Sequence, residues 1–284
     1  MNVDEKMSID DMMNQINWNE IGISDDFMFG KVMENPKLCR KLLETILGIE
    51  IRKIEYPERQ KAIDIAKESR GIRLDVYVAG NDAVYNIEMQ AQDTQELPKR
   101  ARYYSGLIDL NLIEKGVSYN NLNQSFIIFI CTFDEFRKDR HRYTFENMCL
   151  EEKDLPLCDG TTKIFLNAKG TMNDVSLELK AFLDYVAGKK TDNGFVKEVD
   201  EEVKRVRESK EWRRDYMTLL MRDREKYEQG RREGHREGRE EGHREGRKEG
   251  KLEMVVQLIR NGLLTVKEGA EQLHMTEADI TKYL

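Results

Sequence analysis

The fold is decided by residues 72–90, which read Ile72-Arg-Leu-Asp-Val-Tyr-Val-Ala-Gly-Asn-Asp-Ala-Val-Tyr-Asn-Ile-Glu-Met-Gln90. Two runs in which apolar and polar residues alternate flank Gly80-Asn81, a two-residue signal for a β-hairpin. The alternation predicts two antiparallel strands, each with one apolar face. A slip of one residue would exchange the two faces, so the pairing of the strands decides which side chains lie together.

The hairpin brings two acidic residues to one face. A two-residue turn places Asp75 opposite Asn86, and Glu88 is then the diagonal neighbour of Asp75. At that separation both carboxylates can hold one cation. Gln90 lies on the same face, two residues beyond Glu88. The pattern therefore predicts a polar site on a hairpin that is otherwise apolar.

Carboxylate oxygens in this arrangement suit Mg²⁺, which prefers hard oxygen ligands and keeps several waters. Such an ion can activate a water and stabilise the charge that grows on a phosphodiester. Gln90 could orient the attacking water or a phosphate oxygen, and the carbonyl of Met89 is a further candidate ligand. Alone, an Asp…Glu-x-Gln pattern is a weak signal, because many surface strands carry two acids.

A helical segment precedes the hairpin. Apolar residues recur at helical spacing over residues 24–47, with an interruption at Asn35-Pro36. Ser24 or Asp25 can cap its start. Asp26 falls in the first turn, where its carboxylate either complements the helix dipole or contributes to the site.

Three further segments complete the predicted core. Residues 51–57 resemble a short strand at a sheet edge, because Pro57 cannot donate to a neighbour. Residues 95–115 form a helix whose first half is basic, and residues 124–133 form a strand buried on both faces. The order is helix, three strands, helix, strand. It predicts an α/β core of the type αβββαβ with a mixed central sheet.

This order, with acids on consecutive strands, resembles the restriction-endonuclease-like PD-(D/E)xK nuclease superfamily. More narrowly, the chain resembles the Rpn family of recombination-promoting nucleases, also called PD-(D/E)xK family transposases. The resemblance covers about residues 24–190. It is carried by Asp26-Phe-Met-Phe-Gly-Lys-Val32, Leu74-Asp-Val-Tyr77, Asn86-Ile-Glu-Met-Gln90 and Leu97-Pro-Lys-Arg-Ala-Arg-Tyr-Tyr104.

The resemblance implies a Mg²⁺-dependent endonuclease that hydrolyses DNA, acts as a homodimer and is associated with recombination or mobile elements. Asp75 and Glu88 would be the metal-binding carboxylates. Gln90 stands where the superfamily signature has lysine, so a cation that stabilises the transition state is missing at this position. The resemblance also implies that Asp26 is the first-helix acid and that Arg100 and Tyr104 approach the phosphate backbone of DNA.

Composition limits the alternatives. The 284 residues carry a formal charge of −7, so the chain has no global positive field that would attract nucleic acid. Charged residues make up 36%, which predicts charged helices attached to a compact core. The four cysteines are scattered, no signal peptide is recognisable, and no apolar run could span a membrane. We therefore expect a cytoplasmic protein.

The rest of the chain is predicted to be mainly helical. We divide it into a lead-in (1–23), the nuclease-like domain (24–190), a charged helix with a glycine repeat (191–251) and a small helical tail (252–284). Within the repeat a glycine recurs at every fourth position. In a helix each glycine costs about 1 kcal/mol relative to alanine. Close contact with a second helix in a homodimer could offset this cost; the alternative is a flexible tether.

The tail reads as three short helices spaced like a helix-turn-helix, one of them opened by the capping box Thr265-Val-Lys-Glu268. It has no basic recognition helix, so packing or dimerisation is favoured over DNA binding. Three functions thus compete for the whole chain: a metal-dependent endonuclease, an inactive nuclease fold that binds DNA or partners, and a structural oligomer that assembles through the tail.

Overall fold

The computed structural model describes residues 16–51, 58–63, 72–79, 83–113 and 115–284, with side chains for all of these except 58–63 and 72–79. The chain divides into two compact units, one ending at Tyr216 and the other running from Met217 to Leu284. No helix among the described residues is both long enough and apolar enough to cross a membrane.

The described residues form eight α-helices and six β-strands. The helices are α1 (Asp26–Met33), α2 (Pro36–Leu47), α3 (Leu97–Leu112), α4 (Leu177–Val186), α5 (Gly194–Glu208), α6 (Lys210–Arg260), α7 (Val266–Leu273) and α8 (Glu277–Thr281). The strands are β1 (Glu58–Ile63), β2 (Ile72–Ala79), β3 (Ala83–Gln90), β4 (Gln124–Cys131), β5 (Arg142–Phe145) and β6 (Thr161–Asn167).

The strands form one mixed sheet in the order β1-β2-β3-β4-β6-β5. The pairs β3–β4 and β4–β6 are parallel, and the pairs β1–β2, β2–β3 and β5–β6 are antiparallel. A parallel pair needs a crossover connection, which α3 supplies between β3 and β4. The order of elements and the mixed sheet confirm the predicted αβββαβ fold.

The register of the β2–β3 hairpin differs from the prediction by two residues. Tyr77 pairs with Asn86, and Ala79 pairs with Val84 at the end of the ladder. The pairs are centred one residue further along the chain than a turn at Gly80-Asn81 would place them, and residues 80–82 lie outside the described residues. Because the shift is two residues and not one, each side chain keeps its predicted face.

The first strand lies further along the chain than predicted. Residues 51–57 were expected to form it, but Ile51 is buried outside any strand, and 52–57 lie outside the described residues. The first strand of the structure is β1, which lies in a segment that was predicted to be a polar loop. Its sequence, Glu58-Arg-Gln-Lys-Ala-Ile63, lacks a clear apolar alternation, so backbone pairing with β2 determines it. As predicted for the first strand, it lies at an edge of the sheet.

The ends of the first helices follow the predicted signals. The Asp25 carboxylate caps α1 by accepting from the Met28 N–H, and Asn35 caps α2. Gly48 ends α2 at a φ of 70°, in the left-handed region that glycine adopts without strain. The Tyr216 hydroxyl also donates to Asp25, at 3.1 Å. Burial raises the pKa of this carboxyl.

The charged C-terminal segment is helical over a longer range than predicted. A single helix was expected over residues 195–229, but Ser209 separates α5 from α6. Helix α6 then continues for 51 residues through the whole glycine repeat. The first of the three predicted tail helices is part of α6, whose last turns extend to Arg260. Helices α7 and α8 follow, and the capping box at Thr265 is present.

Candidate active site

Glu88 lies near the end of β3, a strand in the middle of the sheet with β2 on one side and β4 on the other. Only 1% of its surface is exposed. A carboxylate is seldom buried to this extent without partners, because loss of hydration strongly disfavours its charged form. The groups around Glu88 therefore define the site.

Alternate residues of β3 face helix α3. Val84 belongs to the apolar cluster that α3 forms with the sheet, so Asn86, Glu88 and Gln90 follow on the same face. The Asn86 amide donates to Glu88 Oε1 at 3.3 Å. Three consecutive positions of this face are thus polar, directly beside an apolar core.

Arg100 approaches these residues from the first half of α3. Its Nη2 donates to Glu88 Oε2 at 3.2 Å, and its Nη1 donates to Gln90 Oε1 at 2.9 Å. The side chain is 28% exposed, so the ion pair with Glu88 is largely shielded from water. The guanidinium joins the two strand residues that the sequence predicted to be catalytic.

Two aromatic residues support the guanidinium. The Tyr104 hydroxyl accepts from Nη2 of Arg100 at 2.9 Å and from Nε at 3.2 Å. The Cζ atom of Arg100 lies 5.4 Å from the centre of the Tyr104 ring and 5.6 Å from that of Phe129 on β4. These are cation–π distances. Arg100 and Tyr104 were predicted to approach DNA; the structure places Arg100 against Glu88 and Gln90, and Tyr104 against Arg100.

The register of the hairpin places Asp75 beside this group. Val76 pairs with Ile87, so the same register continued by one residue brings Asp75 directly opposite Glu88. The side chain of Asp75 lies outside the described residues. The carbonyl of Gln90 accepts from Thr132, on the β4 side of the strand. Since successive carbonyls of a strand point to opposite neighbours, that of Met89 points toward β2.

Asp26 lies in the first turn of α1, as predicted. Its Oδ1 accepts from the N–H of Phe27 at 2.8 Å. Its negative charge contributes to raising the pKa of the Asp25 carboxyl, after the larger effect of burial. These contacts describe a first-turn acid, and a role for Asp26 in the site stays a prediction.

A family model described as PD-(D/E)XK nuclease family transposase matches residues 26–233. The chain belongs to this family. The match covers most of the chain and extends from α1 into the glycine repeat. No curated protein and no solved structure gives a significant match.

PD-(D/E)XK nucleases use divalent metal ions, and the described residues allow a test of whether one fits here. No three His, Cys, Asp or Glu side chains group closely enough to hold a metal ion in the part of the chain with described side chains. A site at Glu88 therefore requires Asp75, which the register, continued by one residue beyond the Val76–Ile87 pair, places opposite Glu88. The Oδ1 atom of Asn86 is buried, and no described donor bonds to it. It adds a hard oxygen acceptor, so the donor set fits a hard cation.

Cys131 at the end of β4 pairs in register with Gln90. Burial, reinforced by the charge of Glu135, raises the pKa of its thiol. The thiol therefore stays protonated at neutral pH and is not an activated nucleophile. The chemistry of this PD-(D/E)XK site rests on its oxygen and nitrogen groups.

The sequence did not identify two of the site residues. Asn86 could have been found, because the alternation that places Glu88 and Gln90 on one face also includes position 86. Phe129 carries no such signal, because it is one apolar residue of a strand that is buried on both faces. Its place under the guanidinium depends on how α3 packs on β4.

Proposed function

We propose that this PD-(D/E)XK nuclease family transposase is a Mg²⁺-dependent DNA endonuclease. One observation carries the proposal: the Glu88 carboxylate is buried on β3, and the pairing of Val76 with Ile87, continued by one residue, brings Asp75 opposite Glu88 on the hairpin. A carboxylate buried beside a second acid is stable only when a cation or other donors compensate its charge. Arg100 compensates it in part, and a metal ion between the two acids would complete the compensation.

The residues that would hold the ion are Asp75, Glu88 and the carbonyl of Met89. Glu88 accepts hydrogen bonds from Asn86 and Arg100, and its carboxylate oxygens are the hard donors that a metal ion of this kind prefers. When bound, the ion would lower the pKa of a water and stabilise negative charge on a phosphate oxygen. Mg²⁺ is favoured over softer ions because the donor set consists of oxygen atoms.

The residues around Glu88 shield its carboxylate from water and fix its orientation. The apolar cluster of α3 and β4 excludes water from one side of Glu88. The Asn86 amide and the Arg100 guanidinium fix the orientation of its carboxylate. Gln90, Arg100 and Tyr104 would face the phosphate, and Asp26 would act from the first helix. Because the net charge is −7, we propose that local cations and the metal attract DNA.

This function is tested by exposing supercoiled plasmid DNA to the purified full-length protein. With Mg²⁺ we expect nicked or linear plasmid, and with excess EDTA we expect none, because removal of the ion removes both water activation and charge stabilisation. Plasmid that stays supercoiled with Mg²⁺ would favour the inactive nuclease fold, an alternative prompted by the missing lysine at position 90. Equal cutting in EDTA would exclude the metal mechanism.

We further propose a homodimer formed through the glycine repeat of α6. Residues 230–250 are helical and exposed, and a Cβ atom added at any glycine of the repeat would meet no atom within 4 Å. Each glycine is turned by about 40° around the helix from the one before it, so the stripe winds and two or three successive glycines share a face that can receive a second helix at close range. Its members are Gly230, Gly234, Gly238, Gly242, Gly246 and Gly250.

Opposite charges border this glycine stripe. At 100° per residue, the position before each glycine lies on one side of the stripe and the position after it lies on the other. The acidic side consists of Glu233, Glu237, Glu241, Glu245 and Glu249. The other side consists of Arg231, His235, Arg239, His243, Arg247 and Lys251.

The two charged sides favour one orientation of the dimer. In a parallel pair related by a twofold axis, the acidic side of one helix faces the basic side of its partner. In an antiparallel pair, the acidic side faces the acidic side of the partner helix and the basic side faces the basic side, so like charges repel. The pattern therefore supports parallel pairing, in which attraction between the sides helps to offset the cost of the glycines.

Light scattering tests the dimer, because a variant that disrupts the glycine stripe should show a lower mass than the wild type. The double variant Gly238→Leu/Gly242→Leu places bulk on the stripe, and we expect it to shift from dimer to monomer. The matched control Arg236→Leu/Glu240→Leu places the same two leucines on the opposite side of the helix and should stay dimeric. A monomeric wild type, or equal masses for both double variants, would contradict the proposal.

A cytoplasmic location is the remaining part of the proposal. The described structure leaves Cys39, Cys131, Cys149 and Cys158 as free thiols. Free thiols are typical of a reducing compartment, where disulfides rarely persist.

A further inference from the structure

The residue at position 90 is an uncharged glutamine, although the family signature has lysine there. Gln90 nevertheless contacts a cation. Its Oε1 accepts from Nη1 of Arg100 at 2.9 Å, an interaction between a neutral strand residue and a charged residue of α3. The positive charge is therefore present at the end of β3 but originates from another element.

Several contacts fix the guanidinium at this place. Nη1 donates to Gln90, Nη2 donates to Glu88 and Tyr104, and Nε donates to Tyr104. The planar group also lies over the rings of Tyr104 and Phe129. An arginine held by a fork of acceptors and by aromatic faces is preorganised, so little conformational entropy is lost when it binds an anion.

The structure also shows why glutamine suits position 90. A lysine there would place a second cation beside Arg100, and like charges at this distance repel in a shielded site. The side-chain oxygen of glutamine instead accepts from Arg100. Gln90 therefore acts as the positioning residue for the arginine.

We propose that Arg100 is a catalytic residue that supplies the cation which a lysine at position 90 would supply, and that Gln90 positions it. This inference rests on the proposed function. In the hydrolysis, a water oxygen forms a bond to phosphorus while the bond from phosphorus to the leaving sugar oxygen breaks. The water gives its proton to solvent, and the leaving oxygen takes one from solvent. Negative charge grows on the phosphate oxygens, and the guanidinium stabilises it.

Arginine stays protonated in proteins, so Arg100 acts as a fixed charge and not as a base. Removing one preorganised donor from the developing charge of a transition state typically lowers a rate about 10²- to 10³-fold. A purely structural role is the competing explanation, in which Arg100 only neutralises buried Glu88. In that case a lysine at position 100 would serve nearly as well.

The test measures the single-turnover rate of cleavage of a linear DNA duplex by the full-length protein with Mg²⁺ at saturating protein concentration. We expect Arg100→Met to lose about 10²- to 10³-fold in rate. Arg100→Lys keeps a charge near Glu88 but cannot reproduce the planar fork, so we expect a loss of at least about tenfold. The double variant Gln90→Lys/Arg100→Met restores a cation from the strand and should cut at least about ten times faster than Arg100→Met, because it recovers part of the lost charge stabilisation.

Arg102→Met is the matched control, because Arg102 lies on the same helix and its side chain is exposed. We expect this variant to cleave DNA at the wild-type rate. If Arg100→Met does not fold, as judged by circular dichroism, Arg100→Lys decides the question. The inference would be overturned if Arg100→Lys cut at the wild-type rate, or if the double variant cut no faster than Arg100→Met. In both cases the wild-type protein still cuts DNA, so the proposed function would stand. A wild type that does not cut overturns both.

Discussion

Replacing Glu88 with glutamine should abolish metal-dependent DNA cutting while the fold is retained. Glutamine has nearly the same shape, and its one side-chain oxygen can still accept one of the two hydrogen bonds, from Asn86 or from Arg100. It lacks the negative charge that holds a metal ion. Metal-ion stabilisation of transition-state charge is worth several kcal/mol, and about 1.4 kcal/mol is a factor of ten in rate, so we expect a loss of about a thousandfold.

Two measurements on Glu88→Gln separate loss of metal from loss of structure. Calorimetric titration with Mg²⁺ should show binding to the wild type and none to the variant, and plasmid cutting should disappear in parallel. Glu96→Gln is the matched control, because Glu96 is exposed and its side chain makes no capping hydrogen bond to α3. Unchanged Mg²⁺ binding in Glu88→Gln would show that the ion binds elsewhere.

Replacing Phe129 with alanine should have the largest effect on stability. Phe129 is fully buried on β4, and its ring stacks on those of Phe165 and Tyr104. Removal of a buried phenylalanine side chain costs about 3–5 kcal/mol in the free energy of unfolding. In a unit of this size each kcal/mol lowers the melting temperature by about 2–4 °C, so we expect a decrease of about 10 °C.

Phe145 provides the control for this change. It also contacts Phe165, at 5.6 Å between ring centres, but 41% of its surface is exposed. The variant Phe145→Ala should therefore melt within a few degrees of the wild type, because little apolar surface is newly exposed to water. Thermal unfolding followed by circular dichroism compares the two. Equal decreases would contradict the central position of Phe129 in the core.

The arrangement of elements could be predicted because it depends on local periodicity. Alternation in β2 and β3, an apolar run in β4 and the breaks at Asn35-Pro36 and Gly48 each follow from short-range physical rules. The register of the hairpin could not be predicted with the same certainty. It depends on where the connection is centred, and moving that centre by one residue moves every pair by two positions.

The composition of the site was predictable only in part. The faces of the hairpin bring Glu88 and Gln90 together, and alternation also includes Asn86. The contact of Arg100 with both strand residues was not predictable, because it depends on the tilt of α3 against β4 and on the rotamer of a long side chain. From sequence, Arg100 was a basic residue on a helix that the family resemblance placed near the phosphate backbone of DNA.

The C-terminal segment shows the same limit. Six glycines at helical spacing disfavour a helix locally, yet α6 passes through all of them. Intrahelical ion pairs such as Arg224–Glu228 and Arg244–Glu241 contribute only a few tenths of a kcal/mol each. Contacts of this size do not offset about 6 kcal/mol, which is why pairing with a second copy is the favoured explanation.

The central claim is that Asp75 and Glu88 form one metal site that cuts DNA. It is tested most directly by incubating supercoiled plasmid and Mg²⁺ with either the wild type or Asp75→Ala, at equal protein concentration and after both have been shown to fold. We expect nicked or linear plasmid with the wild type and unchanged supercoiled plasmid with Asp75→Ala. Equal cutting by the two proteins would contradict it.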